Sequence, residues 1–143
     1  MIQFIFENVS SNRIKDKLKL KSWLKKVAQS KSCLIGDLAY VFCDEDRMLE
    51  INEKYLEHSD HTDIITFNYS QELNGKKLLS GDIFISIPRV TENALLYNTT
   101  FENELLRVMA HGLLHLIGFT DETNEEKEIM IKEEDKAIFL WSL

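Results

Sequence analysis

The chain has 143 residues, of which 44% are apolar and 29% charged, and a formal net charge of −7. That length and balance suit one water-soluble domain, residues 1–143, and no stretch approaches the roughly 18 apolar residues needed to span a membrane. The acidic excess excludes loose electrostatic wrapping of a nucleic-acid backbone, because such affinity rests on Lys and Arg.

In chain order, MIQFIFENVSSN lacks the basic start, long apolar run and small-residue cleavage site of a secretory signal, so a cytoplasmic location is expected. Within it, IQFIFENV reads as a strand. NRIKDKLKLKSWLKKVAQSK then sets Ile14, Leu18, Trp23, Leu24 and Val27 near helical spacing. Seven lysines fall between Lys15 and Lys31, and a solvated helix face explains them more simply than an RNA patch. GDLAYVFC is a strand, and DEDRMLEINEKYL a helix with Asp44 as N-cap. TDIITFNY and GDIFISI are further strands, joined by the polar segment SQELNGKKLLSG. Pro88, the only proline, opens the helix PRVTENALLY. ENELLRVMAHGLLHLIG and NEEKEIMIKEEDKAIFLW close the chain as helices. The expected fold is therefore α+β, a mixed four-stranded sheet flanked by helices. Cys33 and Cys43 lack CxxC spacing and sit in apolar surroundings, as buried reduced thiols do.

The chemistry concentrates in MAHGLLHLIGFTDET. Residues four apart on a helix differ by about 40° around the axis, so His111 and His115 share a face and can grip one ion. Gly118 suits a left-handed helix end, and the turn it makes can bring Asp121 back beside the imidazoles. Two histidines and one carboxylate leave a coordination position open, as in a catalytic rather than a closed structural site. Burial in VMAHGLLHLIGF also calls for polar partners for these imidazoles. In an HExxH protease the residue after the first histidine is the glutamate that takes a proton from water; here it is Gly112. HxxxHxxGxxD keeps the metzincin ligand frame but not its base or final ligand type.

HGLLHLIGFTD resembles the HGxLHLxGYDH signature of the YbeY group of metal-dependent endoribonucleases and rRNA maturation factors. NEKYLEHSDHTDIITF is similar to that family's NxxYRxxDxPTDVLSFP segment and GDIFIS to its GDIVIS strand. Met130 and Glu134 fit its MxxxE pattern. The resemblance implies a mixed sheet with helices, a zinc-like ion on the signature residues, hydrolysis of single-stranded RNA, and work in small-subunit rRNA 3′-end maturation and ribosome quality control. Two positions depart from it. Asp121 stands where most members have a third histidine, which adds a negative charge and suits Fe or Mn somewhat better than three imidazoles would. Leu56 stands where the family commonly has an arginine, so Lys54, Arg89 and Arg107 become the candidates for holding phosphate.

Other residues divide between roles. Asp63 suits either a carboxylate that orients a ligand histidine or water, or a cap at the strand entry. Thr62 and Asn52 read as turn and cap hydrogen bonders, Asp82 as a turn residue, and His58 and His61 as exposed. Arg107, one turn before His111, either faces the cleft or pairs with Glu104. The leading expectation is a metal-activated water attacking an RNA phosphodiester, with His111, His115 and Asp121 as ligands and catalytic residues and Zn2+ first among the candidate divalent ions. The competing readings are a non-catalytic ribosome assembly factor braced by its metal, and a metzincin-like peptidase.

Overall fold

The computed structural model describes residues 1–56 and 62–143. Strand β1 (Ile2–Glu7) leads through a 3-10 turn (Ser11–Arg13) to helix α1 (Lys17–Ser30), strand β2 (Cys33–Cys43) and helix α2 (Glu45–Leu56). Strands β3 (Ile64–Asn68), β4 (Gln71–Leu73) and β5 (Lys76–Ser86) follow, then helices α3 (Ile87–Leu96), α4 (Phe101–Ile117) and α5 (Asn124–Trp141). His58 and His61 lie outside the described residues.

The sheet is mixed, in the order β1-β2-β5-β3. β1 and β5 flank β2 in parallel, while β3 and β4 both run antiparallel to β5, β4 along its first half and β3 along its second. The described residues thus give five strands instead of the expected four. The additional one, β4, is a three-residue arm turned back at Asn74 and Gly75, both at positive φ (52° and 80°). Such a two-residue turn matches the right-handed twist of paired strands. β5 accordingly begins at Lys76, and Asp82 lies within the strand opposite Phe67, not at a turn.

Side chains alternate across the sheet and divide the core. Leu38, Tyr40 and Phe42 of β2 and Leu79, Ile83 and Ile85 of β5 pack in one cluster with Trp23, Leu24 and Val27 of α1 and Met109, Leu113 and Leu116 of α4. Met48 and Ile51 of α2 pack on the opposite face with Ile65, Phe67 and Phe84. The Tyr40 hydroxyl donates to the Met109 carbonyl at 2.8 Å, which ties α4 to the central strand. Asp44 caps α2 by accepting from the Arg47 backbone N–H at 2.9 Å. Both cysteines are free and buried, and burial pushes the Cys43 thiol up to about 12, which leaves it inert. In α1 the expected phase shifts: Leu18 is 84% exposed, and Leu20 takes the buried position.

Candidate metal centre

Helix α4 is capped at Thr100, whose hydroxyl accepts from the Asn103 N–H, and its buried face rests on the sheet. Gly112 marks the closest approach. A Cβ there would lie 2.8 Å from Ile83 Cγ2 and 3.0 Å from Ile64 Cδ1, so any side chain at this position would force its neighbours to shift. The helix ends at Gly118 (φ 128°), whose N–H meets the Leu114 and His115 carbonyls; the Lys77 ammonium donates to the Ile117 carbonyl at 2.8 Å. Beyond that end the chain doubles back toward α5, which starts with a capping box between Thr123 and Glu126.

This path brings three donor atoms together. His111 Nε2 and His115 Nε2 are 2.9 Å apart, and Asp121 Oδ2 lies 3.2 Å from the first and 3.5 Å from the second. Tetrahedral coordination at ~2.0–2.2 Å separates donors by about 3.3–3.6 Å, close to these spacings. The partners of the outer nitrogens fix the chemistry. His111 Nδ1 faces Glu134 Oε2 at 2.7 Å, and His115 Nδ1 faces the Phe119 carbonyl at 3.0 Å. A carboxylate and a carbonyl only accept, so each Nδ1 carries the hydrogen, which leaves the two Nε2 atoms facing each other as the positions open to a cation. Contacts this short between two ring nitrogens and a carboxylate oxygen call for positive charge among them, a proton or a metal ion. Burial opposes a charge on His111, but the Glu134 hydrogen bond and the negative charges of Glu134, Asp121 and Asp63 override it and raise its pKa. The donor set therefore fits a divalent metal.

Glu134, 5% exposed on α5, accepts from Arg107 Nη1 at 2.9 Å through its other oxygen. Arg107 also meets Asp135 at 2.8 Å, so its pairing runs to α5 rather than to Glu104. A cleft of about 290 Å³ opens beside the three donors, lined by Asp63, Asn93, Tyr97, Glu104, Arg107, His111, Asp121 and Glu134 among others. Asp63 accepts from Asn93 Nδ2 at 3.5 Å, and the Thr62 hydroxyl donates to the Ile64 carbonyl. Arg89 lies elsewhere, paired with Glu45 and Glu92, and Lys54 sits 5.3 Å from the Tyr55 ring centroid. Asn52 is buried on α2. Asn93, Tyr97 and Glu104 were not singled out for the cleft. Only Glu104 carries a signal, since seven residues before His111 is the same helix face.

Residues 5–141 match the family model described as Endoribonuclease YbeY. Among curated relatives, Endoribonuclease YbeY from Cytophaga hutchinsonii is 42% identical over 137 residues, covering 96% of this chain and 94% of its own. The same-named protein from Phocaeicola vulgatus is 43% identical over 143 residues, the full length of both chains. The solution structure of a Thermotoga maritima protein superposes with a TM-score of 0.64 at 26% identity, covering 96% of this chain and 88% of that one.

Proposed function

The chain belongs to the YbeY endoribonuclease family, and on that premise we propose a metal-dependent, single-strand-specific endoribonuclease that acts in ribosomal RNA processing at the small-subunit 3′ end and in ribosome quality control. The observation that supports this reading is the convergence of two imidazole Nε2 atoms and the Asp121 carboxylate at the edge of an open cleft. His111, His115 and Asp121 would hold one divalent ion, Zn2+ first, with Fe and Mn favoured somewhat more by the carboxylate than by a third imidazole. Such an ion would acidify a water and stabilise charge on a phosphate oxygen.

The remaining work belongs to the chain. Glu134 and the Phe119 carbonyl fix the tautomer and tilt of the two imidazoles. Gly112 lets α4 settle on β5, so His111 and His115 stand at the cleft edge. The open cleft of about 290 Å³ beside these donors is where an RNA segment would meet the ion. A peptidase reading is disfavoured because Gly112 supplies no base beside His111, and a side chain there would press on Ile83 and Ile64.

The test pairs metal analysis of purified protein with cleavage of single-stranded ribosomal RNA. His115→Ala is expected to lose both metal and cleavage; unchanged cleavage by that metal-free variant would overturn the proposal. A second reading, a non-catalytic assembly factor, draws on the donors' position across α4 and the chain leading to α5, where an ion would brace both. It requires that metal removal lower thermal stability while ribosome binding persists, with no nuclease signal above background.

A further inference from the structure

Glu104 stands in the first turn of α4, 5% exposed, and lines the cleft at a distance in sequence of two helical turns from His111. Its carboxylate forms no hydrogen bond or ion pair among the described residues; its surroundings are two further negative charges, Asp63 and Glu134, and the Arg107 guanidinium. The carboxylate oxygens are not sealed off from solvent, so they are free to accept a donor that enters the cleft. Helix-dipole compensation does not require the burial, since exposed Glu102 in the same turn already places a negative charge there. A second cation is not the favoured occupant. Among the described residues only His111, His115 and Asp121 bring three metal-ligating atoms together.

Two neighbours point to another occupant. Tyr97, at the C-terminal cap of α3, lines the same cleft with its side chain 64% exposed, as a stacking platform for an unpaired base requires. Asn93, one turn earlier, commits one N–H to Asp63 and has a second to give. We infer that Glu104, Asn93 and Tyr97 form a guanine-reading subsite that seats one base of a single-stranded RNA beside the metal centre. Guanine alone among the four bases sets two N–H donors, N1 and N2, side by side for a carboxylate, with the acceptor O6 next to them for an amide N–H. Cytosine and adenine offer one amino group beside an acceptor nitrogen. Uracil offers one N–H between two carbonyls that repel a carboxylate. Burial and the charges of Asp63 and Glu134 raise the Glu104 pKa, against the pull of Arg107, and two donated N–H bonds would favour its ionised form.

This subsite deepens the nuclease reading and rests on it, so the experiment separates the two. The full-length protein is titrated with GMP, IMP, AMP, CMP and UMP by NMR, and cleavage is compared on short single-stranded RNAs that differ at one nucleotide. GMP is expected to bind roughly 5- to 150-fold more tightly than the other three standard nucleotides. IMP, which lacks the N2 amino group, should lose much of that margin. Glu104→Gln, which preserves shape, should bring guanine down to the level of the other bases, and Tyr97→Ala should weaken all of them by a similar factor. Selective GMP binding without RNA cleavage would keep the subsite and remove the nuclease reading. Cleavage indifferent to base, or a Glu104→Gln variant that stays folded and keeps guanine preference, would overturn the subsite.

Discussion

The turn at Gly118 brings the Asp121 carboxylate to within 3.2 and 3.5 Å of the two imidazoles that α4 carries. That much was legible: HxxxH fixes a shared face, and a glycine three residues later fixes the reversal. The link from His111 to α5 was less so. Glu134 lies 23 residues from His111, and only the MxxxE resemblance hinted at it; spacing on one helix says nothing about a partner on another. Asp63, read from sequence as either an orienting carboxylate or a cap at the strand entry, bonds Asn93 and acts on His111 through charge. Glu134 makes the direct contact, so on the proposed reading its charge should matter to an ion held by His111, His115 and Asp121. Glu134→Gln is expected to weaken metal affinity about 10- to 100-fold, measured by competition with a chromogenic chelator. An affinity unchanged within twofold would show that the Nδ1 partner does not tune this site.

At the scale of elements, sequence periodicity served best where one helix or strand runs unbroken. It placed α4 and α5 within a few residues but misjudged α1, which starts only after Asp16 (φ 54°) and in which Leu18 stands nine residues, half a turn around the axis, from Val27. Leu20, Trp23, Leu24 and Val27 share the buried face at i, i+3, i+4 and i+7, so Leu18 turns outward. β4 had no alternation to reveal it, all three residues being exposed, and only the Asn-Gly pair marked the hairpin. Gly112 shows the opposite case, in which a sequence feature noticed for its chemistry has a packing cause. An alanine there would gain about 1 kcal/mol of helix propensity. Its Cβ would also press on Ile83 and Ile64, and overpacking a dense core costs about 1–3 kcal/mol. Gly112→Ala is expected to lose about 1 kcal/mol net in urea unfolding; a stabilised variant would mean that α4 can lift from β5 without penalty.

Across the whole molecule, the distribution of charge constrains how an acidic protein could hold RNA. The cations of the described cleft region are already engaged: Arg107 with Glu134 and Asp135, and Arg89, further away, with Glu45 and Glu92. The lysine-rich α1 lies along aromatic rings instead, with Lys17, Lys19 and Lys21 within 4.0–5.3 Å of the Phe6, Trp141 and Phe4 centroids. Few basic groups therefore remain to displace counterions at the cleft, so on the proposed reading a divalent ion and base contacts would supply most of the affinity for RNA. For one or two phosphate contacts on a single strand, log K should fall against log salt with a slope of about −0.7 to −1.4. RNA binding by the metal-loaded protein is accordingly expected to weaken only about 3- to 7-fold between 50 and 200 mM salt. A loss of a hundredfold or more in a fluorescence-anisotropy titration would require a broad basic track, and the face bearing the α1 lysines would then be the place to seek it.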